Sequence, residues 1–212
     1  MVQWVWERAA QVPGVEVVVA TDDARIKSVV EGFGGRAVMT SSDCASGTDR
    51  VAEAARAFDA AHIINLQGDE PLCAPQNIAI VADLLRRGEA MATLDFPLAA
   101  EAAADPNTVK VVKDAAGYAL YFSRSPIPHP RNAGAAVYRK HLGIYGYSRA
   151  TLFRFVALPP TMLERAESLE QLRALENGIR IFVAEASADA HSVDTPEDAA
   201  WVASLLGKGK CD

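Results

Sequence analysis

Apolar residues at Val2, Val5, Trp6, Ala9 and Ala10 recur at helical spacing, so the chain opens on an amphipathic helix. "VEVVVATDD" then reads as a buried strand ending in polar residues, "DARIKSVVEGFGG" as a helix closed by glycines, and "RAVMT" as a short strand. The helix "GTDRVAEAARAF", the strand "HIINLQ" and a helix within "PQNIAIVADLLRRG" continue the alternation. The strands are continuously apolar rather than alternating. That is the pattern of an α/β fold, a mostly parallel sheet flanked by helices on both faces.

From Met91 the rhythm changes. "MATLDFPL", "VKVVKD", "YALYFS" and "HLGIYGY" are strand-like runs with few helices between them, which predicts an antiparallel-rich lobe over 91–147 within a single domain, 1–212. "SPIPHPRNAG" is a Pro- and Gly-rich surface loop. Helical pattern returns over 151–156 and through "LERAESLEQLRALENG"; "IRIFVAEA" is a late strand and "TPEDAAWVASLLG" the last helix. In a wound sheet the first helix follows a strand, because a crossover joins two parallel strands. The sequence given shows no strand ahead of its first helix, so it reads as starting inside a βαβ unit.

Composition narrows the function classes. Half of the 212 residues are hydrophobic and 23% are charged, as in ordinary globular proteins. A net charge of -6 argues against a general nucleic-acid binder, which needs clustered Lys and Arg, but leaves room for a local basic pocket. Cys44, Cys73 and Cys211 have no metal-ligand spacing and read as free thiols of a reducing cytosol. No apolar run approaches the ~20 residues that span a bilayer. With no signal peptide at the start given, a cytoplasmic protein is expected.

"IINLQGDEPL" ends an apolar run in adjacent carboxylates. A capped strand end explains it, and so does a metal-binding carboxylate, because ligands of open α/β sheets bind outside the carboxyl ends of the strands. "SVDTPEDA" offers a second acid. Thr195 fits the N-cap, Pro196 the first helical position and Asp198 the reciprocal position of a capping box, which accounts for the cap without Asp194. The polar loop "SSDCASGTDRVAEA" opens a helix whose unpaired N–H groups and hydroxyls suit a base edge, ribose or phosphate. "HLGIYGYS" puts His141, Tyr145 and Tyr147 on one face of a strand, with Arg124, Arg139 and Lys140 nearby in sequence to favour an acidic substrate.

Together, "VVVATDD", "SGTDR", "NLQGDEP", "DPNTVKVV", "GYALYFSR", "RKHLGIYGY", "LEQLRALENG" and "VDTPED" resemble the 3-deoxy-manno-octulosonate (Kdo) cytidylyltransferase family through nearly the whole chain. The resemblance implies a nucleotide-binding α/β sheet whose antiparallel lobe makes a homodimer. It also implies transfer of CMP from CTP to Kdo, with release of diphosphate, for lipopolysaccharide synthesis. Asp69 and Asp194 would then be catalytic ligands of Mg²⁺. Ser46, Gly47, Thr48, Arg50 and Gln67 would lie at CTP, and Arg124, His141, Tyr145, Glu170 and Gln171 would line the acidic-sugar pocket. The family also carries an Arg/Lys- and Gly-rich loop, ahead of its first helix, that wraps the CTP phosphates. The sequence given has no such segment, so weak triphosphate binding is expected of it. A relative acting on 8-amino-Kdo or a sialic acid, and a non-catalytic sugar-binding remnant, are the competing readings.

Overall fold

The computed structural model describes residues 1–132, 134–193 and 195–208. Helix α1 (Val2–Ala9) leads into strand β1 (Val18–Thr21), α2 (Ala24–Gly32) and β2 (Arg36–Met39). Next come α3 (Gly47–Ala55), β3 (His62–Asn65), α4 (Pro75–Arg86) and the long β4 (Met91–Leu98). A 3₁₀ turn at Ala100–Ala104 precedes β5 (Lys110–Lys113), β6 (Ala119–Ser123) and the eleven-residue β7 (Tyr138–Ser148). The chain closes with α5 (Arg149–Val156), α6 (Met162–Glu167), α7 (Gln171–Glu176), β8 (Phe182–Glu185) and α8 (Pro196–Lys208).

The α/β class holds, and the strand pairing is mixed. β1 and β2 run parallel as a two-stranded sheet, and β4 and β8 are parallel in a six-stranded one. The remaining pairs are antiparallel: β3 with β7, β4 with β7, β5 with β6 and β5 with β7. The strands from 91 to 147 therefore share one sheet with β3 and β8. β7 is the organiser. One edge meets β4 along nearly its whole length, and the other meets β5 at Lys140 and β3 from Tyr145 to Ser148.

Both faces of the six-stranded sheet are covered. On one, Met91, Tyr147, Leu152, Phe155 and Leu172 gather with Ala52 and Ala55 of α3. On the other, Ile78 and Val81 of α4 meet Leu94, Leu142, Ile144 and Ala9. Gly146 sets the height of α4 over β7, because a Cβ there would come within 2.5 Å of Val81 Cγ1. Among the described residues no helix is long and apolar enough to cross a membrane.

Local signals explain the ends of several elements. Ser46 caps α3 by accepting the Asp49 N–H at 3.1 Å. The capping box before α8 is present: Asp198 accepts the Thr195 N–H at 2.9 Å, and Thr195 Oγ1 accepts the Asp198 N–H at 3.1 Å. The helical run expected through "LERAESLEQLRALENG" is broken in two. Ser168 takes a left-handed φ of 51°, ending α6 three residues before α7 begins. The break lets Leu169 and Leu172 both enter the core. Arg173 spans it, giving Nε to Glu164 Oε2 at 2.9 Å and NH2 to Glu164 Oε1 at 2.5 Å.

Candidate active site

The break at Ser168 has a consequence 120 residues upstream. It leaves Glu170 at the N-terminus of α7, aimed at the N-terminus of α3, where Glu170 Oε1 accepts from Ser46 Oγ at 2.8 Å and Oε2 from Thr48 Oγ1 at 2.5 Å. Thr48 Oγ1 accepts in turn from Asn65 Nδ2 at 3.3 Å, and Asn65 Oδ1 accepts from Gln67 Nε2 at 2.9 Å. Ser46 Oγ also lies 3.1 Å from Asp49 Oδ2, while the Thr48 hydroxyl spends its one proton on Glu170, which fixes the direction of the relay and with it the orientation of the Asn65 and Gln67 amides. A Cβ on Gly47 would stand 3.0 Å from Gln67 Oε1, so a glycine here lets the start of α3 close on that amide. Arg50 borders the group. It donates to Thr40 Oγ1 at 2.7 Å and to Asp22 Oδ2 at 2.9 Å, which ties α3 to the carboxyl ends of β1 and β2.

The strand β7 supplies the neighbouring wall. Asn65 is the register partner of Tyr145, and Thr93 faces Tyr145 from the other side. The Tyr145 ring lies 5.3 Å from the His141 ring, and its hydroxyl is buried without a partner among the described residues. Desolvation pushes the Tyr145 phenol well above its ordinary pKa, so it is a hydroxyl donor. Thr93 Oγ1 lies 2.7 Å from the Ile144 carbonyl and 3.0 Å from His141 Nε2. The threonine proton goes to the carbonyl, so its oxygen accepts from Nε2–H and Nδ1 becomes the acceptor of the ring.

Burial lowers the pKa of His141 to about 3, with Asp95 opposing. The folded chain therefore holds a neutral imidazole, while the unfolded chain protonates near 6.5. Below 6.5 the unfolded state binds the extra proton. This contribution to stability is whole above that pH and is lost progressively as pH falls towards 3. Between pH 6.5 and 5 the loss is about 2 kcal/mol, at about 1.4 kcal/mol per pH unit. Urea unfolding at the two pH values measures it, and in His141→Gln the difference shrinks by that amount. An equal pH dependence in parent and variant contradicts the neutral, enclosed ring.

Arg124 stands apart from the relay. Three of its N–H groups go to backbone carbonyls: Nε to Glu167 at 2.7 Å, NH1 to Pro106 at 3.0 Å and NH2 to Ser168 at 3.4 Å. It clasps the segment before β5 to the α6–α7 break. Lys110, wholly buried, braces the same place by donating to the carbonyls of Asp105 at 2.9 Å, Thr108 at 2.6 Å and Arg124. Gln171 opens α7 and is buried.

The acidic loop after β3 lies against β7. A Cβ on Gly143 would be 3.6 Å from Glu70 Oε1, and the Val193 N–H donates to the Asp69 carbonyl at 2.9 Å. Asp194 lies outside the described residues. The structure thus brings together Ser46, Gly47, Thr48, Arg50, Gln67 and Glu170 in one cluster, with His141 and Tyr145 on the adjoining strand. Sequence reasoning missed Asn65, Thr93 and Asp22. Asn65 and Thr93 carried a signal: each is a polar residue inside an apolar strand, and a buried amide or hydroxyl needs partners.

Comparison with known proteins places the whole chain. A family model described as Cytidylyltransferase matches residues 1–181. The 3-deoxy-manno-octulosonate cytidylyltransferase of Escherichia coli is 49% identical over 211 residues, 98% of this chain and 86% of that protein. The enzyme of the same name from Myxococcus xanthus is 49% identical over 97% of this chain and 85% of its own length. A solved structure of CMP:2-keto-3-deoxy-manno-octonic acid synthetase complexed with CTP superposes with a TM-score of 0.94 at 47% identity, covering 98% of this chain and 88% of that one. The 4-diphosphocytidyl-2C-methyl-D-erythritol synthase of Anaerococcus prevotii shares the fold, with a TM-score of 0.62 at 15% identity.

Proposed function

The chain belongs to the 3-deoxy-manno-octulosonate cytidylyltransferase family, and from that premise we propose that its cleft joins CTP to Kdo, giving CMP-Kdo and diphosphate, the activated sugar for lipopolysaccharide synthesis. The observation that carries this reading is the match, over 98% of the chain, to a synthetase structure complexed with CTP. In the reaction the anomeric hydroxyl of Kdo forms the new O–P bond at the α-phosphorus of CTP, the bond to the β-phosphate oxygen breaks, and the hydroxyl proton is released.

The relay at α3 gives the chain's own part in this. The Ser46–Thr48–Glu170 bonds fix the start of α3 beside the cleft, and the positive end of that helix favours the nucleotide. Gln67, oriented by Asn65, offers its amide oxygen beside Gly47. Tyr145, with a buried hydroxyl that has no partner among the described residues, and His141, with Nδ1 as an acceptor, suit the hydroxyls of a sugar. The Kdo carboxylate would use the two Arg124 N–H groups that the backbone carbonyls do not take.

The residues fit Mg²⁺. Asp69 follows the carboxyl end of β3, and the bond from Val193 to its carbonyl brings the chain just ahead of Asp194 to the same loop. Bound by these two carboxylates, the ion would neutralise charge and orient oxygens at the reacting phosphates. A homodimer fits the apolar exposure of Leu120 (62%), on the edge strand β6, and of Val137 (77%), just before β7. CTP as co-substrate and the free thiols Cys44 and Cys73 fit a cytoplasmic setting.

The reading is tested by incubating the chain with CTP, Mg²⁺ and each of Kdo, 8-amino-Kdo and N-acetylneuraminic acid, following diphosphate release and sugar nucleotide by mass spectrometry. CMP-Kdo is expected as the dominant product. Preference for another sugar moves the assignment to that substrate, and CTP binding without turnover on any of them favours the sugar-binding remnant.

A further inference from the structure

One buried cation is left unused by the reaction. Lys110, the first residue of β5, is wholly buried. Lysines are almost never found so deep without partners, because the ammonium gives up its hydration. Here all three N–H groups go to backbone carbonyls: Asp105 at 2.9 Å, Thr108 at 2.6 Å and Arg124. A neutral amine has one N–H group fewer, so this set of acceptors holds the charged form. Burial pushes its pKa down, against the pull of Asp105 and Glu167, and Arg124 adds to the push.

The carbonyls come from two places. The run "DPNT" supplies the first. Asp105 Oδ1 accepts the Asn107 N–H at 2.9 Å and Oδ2 accepts from Thr108 Oγ1 at 3.1 Å, so one exposed side chain folds the turn. Lys110 takes the turn's carbonyls at Asp105 and Thr108, and Arg124 NH1 takes the one between, at Pro106, at 3.0 Å. Arg124, just after β6, is the second place. Its N–H donates to Glu167 Oε2 at 2.9 Å and its carbonyl accepts from Lys110, so its backbone is held on both sides. Two cations thus share one turn. The same stretch of chain touches the wall formed by β7, where the Val109 carbonyl accepts the His141 N–H at 2.8 Å.

On the acidic-sugar reading of the cleft, on which this rests, we propose that Lys110 is the positioning residue of Arg124. It is a fixed internal cation that gathers the turn and the Arg124 carbonyl about one point. The guanidinium, tied to the same turn, is thereby set so that its two N–H groups not spent on carbonyls meet the substrate carboxylate. A planar fork reads a carboxylate through parallel bonds, which tolerate little rotation. The buried ammonium touches no substrate, yet its charge is poorly screened there and adds to the attraction for an anion.

The test titrates Kdo and CTP, one at a time so that no turnover intervenes, into the 212-residue chain and its variants by ligand-observed NMR. Lys110→Met is expected to raise Kd for Kdo about tenfold, the worth of one charge-assisted bond, and to leave Kd for CTP within about twofold. In an Arg124→Ala background the same substitution is expected to change Kd for Kdo by less than about twofold, because a residue that acts through Arg124 then has nothing to position. A general loosening of the fold would instead weaken both ligands and multiply the effect of Arg124→Ala. Where the far-ultraviolet spectrum shows Lys110→Met unfolded, Asp105→Ala takes its place. It is exposed, releases the same turn, and is expected to raise Kd for Kdo about threefold, again only while Arg124 is present. Parental Kdo affinity in the folded variant, or effects that multiply with Arg124→Ala, overturns the proposal and leaves the sugar reading standing. Absence of Kdo binding by the parent, or Kdo affinity untouched by Arg124→Ala, overturns the sugar reading at Arg124 and the proposal with it.

Discussion

Asp69→Asn is expected to lower Mg²⁺-dependent diphosphate release by about 10²–10³-fold, the scale of removing one preorganised electrostatic partner from a reacting centre. The change keeps the side-chain shape and removes the negative charge that a hard cation requires of its ligand. Asp69 sits on the loop after β3, and its backbone carbonyl already holds Val193; that bond does not depend on the side chain. The loss should appear in kcat, and the far-ultraviolet spectrum of the variant reports that the fold is kept. Raising Mg²⁺ should recover part of the rate if the ion is bound more weakly, and EDTA should reduce parent and variant to the same floor. Near-parental turnover in Asp69→Asn would sink the metal assignment while leaving the substrate assignment standing.

Most element types were legible in the sequence because they rest on local signals. The apolar run "VEVVVATDD", the capping pair Thr195 and Asp198, and the glycine-closed helix "DARIKSVVEGFGG" each carry their own physical reason. The pairing of β7 was not legible. Its eleven residues read as one strand of a lobe, yet they serve β3, β4 and β5 in one sheet, and nothing in a period of two says which neighbour a strand will choose. The break at Ser168 was hidden for a related reason. Local propensity favours helix throughout that segment, and the core's demand for both Leu169 and Leu172 overrides it. Glu170 was identified through its motif, but its partners Ser46 and Thr48, on α3, follow from the tertiary fold alone.

Asp95 shows the same limit at its largest energetic scale. It stands in the apolar-looking run "MATLDFPL", and its side chain is wholly buried between β7, β8 and β5. Lys113 Nζ lies 2.8 Å from Oδ2 and Arg139 NH2 2.5 Å from Oδ1, so two cations from two strands converge on one carboxylate. Arg139 also reaches the more exposed Glu185 at 2.7 Å, a pair that water screens and that adds little. Removing the buried carboxylate leaves Lys113 with the Val183 carbonyl and Arg139 with Glu185 as their remaining partners, both cations still largely out of water, at a cost of about 3–5 kcal/mol. Asp95→Asn is therefore expected to lose about that much stability in urea unfolding and roughly 6–20 °C in Tm, at 2–4 °C per kcal/mol for a chain of this size. Asp95→Leu combined with Lys113→Met and Arg139→Met removes all three charges together, and most of the loss should be recovered. The triple variant separates a charge effect from a packing effect, because it changes the volume of the site while removing both cations. A loss below about 1 kcal/mol in Asp95→Asn, or a triple variant no more stable than the single one, would show that this cluster does not hold β4, β5 and β7 together through its charges.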